Sequence, residues 1–291
     1  MHFVWLMFGI EAAAEGMMRR LRTGIWLALA VVLAGCARPA LRTALPRPEP
    51  ARGTAGMIFD AETAKTRAAL ARDVPRATLP APAAAAAWIA ATQGALARAG
   101  VSLTRPQLIV VVNRDHSVQR LCLVAAAPSE SWRVVGCDAV STGQSGRRGY
   151  FITPVGVFAH TTEILDYRAL GTFNENHVRG LGIKGMRVWD FGWRVAEKGW
   201  RRDGETGEIR LLVHATDPDL LEPRLGQPAS QGCVRISAAM NRFLDRHGVL
   251  DREQETEARD NMRMAATLPA DRTPSPLAGG LLVVIDSANA A

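Results

Sequence analysis

Gln107 to Val112 reads QLIVVV, Ser117 to Val124 reads SVQRLCLV and Trp132 to Ser141 reads WRVVGCDAVS. Turn-forming stretches separate these β-rich runs, the second turn centred near Pro128–Glu130. Such residues suit a pleated surface, so the three runs predict an antiparallel meander that opens a new domain. Further β-rich pieces follow at Gly156–His160, Ile209–His214 and Leu281–Ser287. Between the last two, Ala238 to about Met264 is helix-compatible, with an interruption near Gly248. Residues 105–287 are therefore expected to form a mainly β domain with a late helix.

Upstream of the meander the texture differs. Ala61 to Asp73 and Ala83 to Ala99 are Ala-rich with good helix formers, and Pro75, Pro80 and Pro82 break the path between them. Residues 57–104 thus predict a helical stalk whose second helix ends near Gly100. Residues 37–56, ARPALRTALPRPEPARGTAG, are rich in Pro, Arg and Ala and read as a stiff spacer. The chain has no internal repeat.

The one long apolar run, Gly24 to Ala34 (GIWLALAVVLA), follows Met17-Met18-Arg19-Arg20-Leu21-Arg22. It is too short for a bilayer core, which needs about 20 residues, and its basic flank and small closing residues describe a secretory signal. Glu11 and Glu15 make residues 1–16 a poor opening for such a signal, which places the true start at Met17 or Met18. A secreted chain meets no ATP or nicotinamide pool, so kinase and dehydrogenase readings lose their ground. The sequence of 291 residues has room for a domain of about 150–200 residues with accessories. A formal charge of +7 permits DNA, an anionic membrane or an anionic polymer as partner, but no RRM, helix-turn-helix or zinc pattern supports nucleic acid.

Four cysteines are too few for a disulfide scaffold, so each asks for its own explanation. Cys122 and Cys137 lie on the second and third predicted strands, at similar distances from the turn between them. Antiparallel pairing can place them opposite one another, either bridged or as two small buried hydrophobes. Cys233 stands in Ala229-Ser230-Gln231-Gly232-Cys233-Val234-Arg235-Ile236, directly before the helix-compatible segment. A helix N-terminus there favours the thiolate, and backbone N–H groups around Gly232 and Cys233 suit an oxyanion. His214, 19 residues upstream at the end of a strand-like run, is the candidate base.

The Leu33-Ala34-Gly35-Cys36 close of the apolar run resembles the lipobox of bacterial lipoproteins. That resemblance implies that Cys36 becomes a lipidated N-terminus, and Ala37 favours the outer membrane over the inner. The region 107–287 resembles the L,D-transpeptidase (YkuD) family, whose signature joins an upstream His to a Ser-His-Gly-Cys block with Arg or Asn two residues on. Here these are His214, then Ser230, Gly232, Cys233 and Arg235. A second family block appears as Ser141-Thr142-Gly143 with Thr153-Pro154-Val155-Gly156-Val157-Phe158.

The resemblance implies a β-sandwich or barrel with a helix after the catalytic cysteine. It implies that Cys233 attacks the diaminopimelate–D-alanine bond of a peptidoglycan tetrapeptide stem and passes the acyl group to an amine. That amine belongs to another stem, giving a 3-3 cross-link, or to an envelope protein. His214 is then proton acceptor and donor, Gly232 an oxyanion donor, and Ser230, Gln231 and Arg235 line the substrate site. Arg235 binds a substrate carboxylate or holds the loop through backbone carbonyls. Gln231 replaces the family's usual His and cannot exchange a proton near neutral pH. Two alternatives remain: transfer to water, as in an L,D-carboxypeptidase or amidase, and a non-catalytic wall-binding lipoprotein. The segment from Phe173 to Trp200 is a candidate lid that offers Trp189, Trp193 or His177 to substrate. No cofactor is expected. No metal is expected either, because His160 and His177 lack ligand spacing with a carboxylate partner.

Overall fold

In the computed structural model, residues 52–289 are described; the signal, its lipobox Cys36 and most of the spacer lie outside them. The first QLIVVV run is β1 (Gln107–Asn113), followed by β2 (Arg120–Ala126) and β3 (Arg133–Ala139), paired as the expected antiparallel meander. β4 (Gly156–Ala159) and the final strand β9 (Leu281–Ile285) complete a five-stranded sheet in the order β3-β2-β1-β9-β4. β9 enters beside β1 in parallel, so the sheet is mixed. The second sheet, also mixed, has the order β5-β6-β7-β8, from Tyr167–Arg168, Arg187–Glu197, Thr206–Ala215 and Val234–Ile236. Five helices accompany them: α1 (Arg52–Asp73), α2 (Pro82–Arg98), α3 (Ala238–Arg246), α4 (Arg252–Glu257) and α5 (Met262–Ala265). Over the described residues helix and strand content are about equal, with the two long helices ahead of residue 105 and strands predominating after it, in line with a mainly β domain.

The burial pattern explains why β1 is apolar at almost every position. Leu108, Val110 and Val112 point into the core shared with the second sheet, where they meet Trp189, Phe191, Leu211, Val213 and Val234. Ile109 and Val111 point the other way and pack with Cys122, Val124, Val283 and the α2 residues Ala95 and Leu96. A strand covered on both faces needs no polar alternation. Burying one leucine-sized side chain is worth about 1.5–3 kcal/mol, so each face of β1 contributes several kcal/mol.

The helices ahead of the meander are therefore layers of the domain, and the expected stalk is corrected. Phe59, Leu70 and Val74 of α1 and its C-terminal extension enter the central core, and α2 covers the outer face of the first sheet. α1 also begins at Arg52, inside the stretch read as spacer. Pro82 starts α2 at its first turn, where a missing N–H costs nothing, and the Pro-containing connection pairs Thr78 with Cys137 on the edge of β3. Cys122 and Cys137 face each other across β2 and β3 and are joined by a disulfide on the α2-covered face.

The helix-compatible run after Cys233 divides into α3, α4 and α5, with the predicted break falling at Gly248. Among the described residues, no helix is long and apolar enough to cross a membrane.

Candidate active site

β7 alternates between two faces. Leu211 and Val213 enter the core, which turns Arg210, Leu212 and His214 to the opposite face. β8 runs parallel to β7 with Val213 beside Val234 and His214 beside Arg235. Cys233 precedes β8, so the same register sets it next to Leu212 on the face that carries His214. The sequence pair is thus brought onto adjacent strands, one diagonal step apart, a spacing of about 7–8 Å between backbone positions that side chains can bridge.

The loop before Cys233 is held by the other sequence block. Ser141 and Arg235 exchange backbone hydrogen bonds of 3.0 and 2.9 Å, and the Thr142 carbonyl accepts from Ala229 N and Ser230 N at 3.0 and 2.9 Å. Thr153 Oγ1 accepts from Gly143 N and donates to Gly232 O, each at 2.8 Å. A Cβ on Gly143 would stand 2.0 Å from Phe151 O, so only glycine permits this approach. Gln119, which sequence reasoning passed over, locks Thr142 by accepting from its N–H at 2.8 Å and donating to its Oγ1 at 2.8 Å. Ser141-Thr142-Gly143, Thr153 and the Ser230–Arg235 stretch are therefore one hydrogen-bonded unit.

Within that unit several expected roles change. Cys233 is followed by a strand, and α3 starts only at Ala238, where Ser237 caps it by accepting from Met240 N at 3.1 Å. The helix-dipole argument for a thiolate is overturned by this intervening strand. Ser230 is buried, donates to Cys233 O at 2.6 Å and accepts from Gly232 N at 3.1 Å. Its hydroxyl thus shapes the loop instead of facing substrate, and it occupies the Gly232 N–H expected to serve an oxyanion. Gly232 has φ +126° and its Cβ would lie 2.8 Å from Ile209 Cδ1, so its glycine character is a backbone requirement. Arg235 donates to Ala229 O at 3.0 Å, the loop-holding alternative, while its Nε is buried without a hydrogen-bond partner. Gln231 is exposed, and its backbone carbonyl accepts from Phe151 N at 3.3 Å.

Electrostatics hold both partners neutral. His214 is buried, 4% exposed, and its pKa falls to about 4 because burial and the Arg235 charge outweigh a hydrogen bond to Ala215. Nδ1 lies 2.6 Å from Ala215 O; with a proton there, Nε2 is left as the lone-pair base. Burial pushes the Cys233 thiol up, opposed by a backbone hydrogen bond from Leu212 and the Arg235 charge and assisted by Asp190. Cys233 Sγ donates to Arg210 O at 3.6 Å. A neutral thiol on the same face as a neutral imidazole suits general-base attack once the thiol turns from that carbonyl to the ring, with proton transfer coupled to bond formation.

Around this pair stand two residues without a motif signal. Asp190 lies opposite Leu212 and pairs with Arg210 at 2.7 Å, and Arg210 also lies over the Trp193 ring at 5.9 Å. Trp193 is 61% exposed and remains available to a ligand, whereas Trp189 is fully buried in the core, which corrects its candidacy. The expected lid is also divided: Arg187–Glu197 is β6, and only the loop before it is irregular. That loop docks beyond His214, where Arg179 N donates to Asp217 Oδ2 at 3.0 Å and the Arg179 guanidinium covers the Phe173 ring at 4.0 Å. His177 is exposed on it with φ 54°.

His160 does have carboxylate neighbours, contrary to the spacing argument. Its Nε2 lies 3.0 Å from Asp166 and its Nδ1 3.7 Å from Asp251, and candidate ligand atoms of the three buried residues fall within 4.8 Å of one another. Nδ1 also lies 2.8 Å from Leu250 O, so both ring nitrogens face oxygen, an arrangement that suits the doubly protonated ring. Burial opposes that charge, but the Asp166 hydrogen bond and the charges of Asp166 and Asp251 hold the pKa of His160 up. Arg187 donates to Asp166 at 2.7 Å and to Asp251 at 3.4 Å, while burial pushes the Asp251 carboxyl up against the opposing charges of Arg187 and His160.

Comparison with protein-family models finds no match, and a search of curated proteins finds none either.

Proposed function

We propose that this chain is a peptidoglycan L,D-transpeptidase with the fold of that family, carried to the periplasm by its signal and tethered through Cys36, with residues 37–51 as spacer. The observation that carries the proposal is the contact between its two separated sequence blocks. Ser141-Thr142-Gly143 and Thr153 build the loop that presents Cys233 beside the His214 strand.

In this reading Cys233 Sγ attacks the carbonyl carbon between diaminopimelate and D-alanine as His214 Nε2 takes the thiol proton. The tetrahedral intermediate collapses with that proton passing to the D-alanine amine, which leaves, and a thioester remains. An acceptor amine then attacks the thioester, loses a proton to His214 and releases the Cys233 thiol. Arg235, cationic beside Cys233 and bonded on one side only to Ala229 O, supplies remaining N–H donors for a substrate carboxylate.

Purified protein incubated with tetrapeptide muropeptides should yield 3-3 linked dimers with loss of D-alanine, resolved by mass. Tripeptide without dimer would replace the transferase by a carboxypeptidase. Intact mass after carbapenem exposure should show one adduct that disappears in Cys233→Ala; an unmodified wild-type chain would favour a non-catalytic wall-binding role.

A further inference from the structure

A cavity of about 520 Å³ opens between the α2–β1 connection, α4 and the β4–β9 edge. None of Ser230, Cys233, His214 or Arg235 lines it. Two arginines do: Arg105 from the connection and Arg252 from the start of α4. Among the described residues neither forms an ion pair, and the guanidinium bond of Arg105 goes to its neighbour's carbonyl, Pro106 O, at 3.0 Å. The two sense each other: partial burial and then the Arg252 charge lower the pKa of Arg105.

Carboxylates are present in the same cavity and do not neutralise them. Glu253 and Glu257 stand one turn apart on α4, a like-charge pair that destabilises a short helix on its own. Glu257 Oε1 accepts from Asn261 Nδ2 at 3.1 Å, and neither glutamate pairs with Arg105 or Arg252. The wall thus carries two arginines and two glutamates that form no ion pair with one another, Arg105 half-buried and the other three exposed. The backbone around them is fixed, with Arg252 N donating to Gly279 O at 3.1 Å and His160 N to Gly280 O at 2.7 Å.

We infer that this cavity is a second binding site, for a small zwitterion of the amino-acid type whose carboxylate meets Arg105 and Arg252 and whose ammonium meets Glu253 and Glu257. A bare polyanion would face the glutamates and a bare polycation the arginines, whereas one molecule carrying both groups relieves both repulsions. The site stands whether or not Cys233 is catalytic.

Calorimetric titration of the full chain at low salt tests it, with meso-diaminopimelate as the zwitterionic probe and glutarate, cadaverine and inorganic phosphate as single-sign comparators. Diaminopimelate should bind saturably and at least tenfold more tightly than each comparator. Arg105→Ala with Arg252→Ala, and separately Glu253→Gln with Glu257→Gln, should each weaken it at least tenfold, while Cys233→Ala should leave it unchanged. Thermal melts check that the variants fold, and Arg105→Lys, which keeps the charge, should retain most of the affinity. Absence of saturable binding overturns the proposal. So does phosphate binding as tightly as diaminopimelate, or affinity that depends on Cys233 and not on Arg105 and Arg252.

Discussion

His214 is buried as a neutral base, and that has a measurable cost in acid. Its folded pKa of about 4 lies below the 6.5 of a free imidazole, so between those values the unfolded chain binds a proton that the native chain does not. The stability this group contributes is present above 6.5 and declines as pH falls toward 4. Between pH 7 and 5 the loss should be about 2 kcal/mol. Denaturant unfolding of wild type and His214→Gln at both pH values isolates it: the wild-type advantage should shrink by about that amount in acid, and a pH-independent difference would refute the assignment. Gln231 leads to the opposite expectation. Its side chain is exposed and its backbone carbonyl takes the Phe151 N–H, and in the proposed reaction the proton work is assigned to His214 alone. Gln231→His should change the rate of carbapenem acylation less than about threefold, under 1 kcal/mol of barrier, whereas His214→Gln should slow it at least about a hundredfold.

At the scale of elements, the β2–β3 hairpin carries its own covalent brace. The Cys122–Cys137 bond closes a loop with a sequence separation of 15, for which chain entropy alone gives about 3 kcal/mol. Reduction, or Cys122→Ala with Cys137→Ala, should lower the unfolding free energy by about 2–4 kcal/mol while leaving Cys233 reactive, because the bond lies on the α2 face of the first sheet. This pairing was legible in part: the turn position brings the two cysteines close to opposite each other, and a register shift between Leu123 and Val124 sets Cys122 directly across from Cys137. The His214 strand was legible as a β-rich run, and the two blocks around Ser141 and Cys233 through their resemblance to a family signature. Other features had no local signal. β6 hides in a stretch with glycines and aromatics because its Trp189 and Phe191 are core residues while Trp193 on the same strand is exposed. α1 and α2 have weak apolar faces, so their packing against two different layers is a tertiary fact that periodicity does not carry. Gln119 acts through a long-range bond to Thr142, 23 residues away, which no spacing rule anticipates.

For the whole molecule, the buried group of His160, Asp166, Arg187 and Asp251 ties the two sheets to the C-terminal helices. His160 and Asp166 lie on the chain between β4 of the first sheet and β5 of the second, Arg187 opens β6, and Asp251 immediately precedes α4. Trp189 Nε1 adds a bond to Asp251 Oδ1 at 3.1 Å, so the network reaches the central core. Asp166 is its hub, accepting from His160, from Arg187 and from Asp190 N at 2.9 Å. Those bonds hold its carboxyl below the usual range despite burial, so its stabilisation is present above a free aspartate's pKa and is lost as pH falls through the lower folded value. His160 has the opposite sign: its raised pKa makes its contribution full below about 6.5 and lost as pH climbs through the folded value. Asp166→Ala should leave Arg187 buried without its closest partner and cost about 3–5 kcal/mol, read by denaturant unfolding at neutral pH. In that background His160→Ala should cost much less than it does in wild type, since a shared partner has already gone. Additive losses would mean that the four residues are separate contacts, and that packing between the sheets, not this network, holds the two sheets in register.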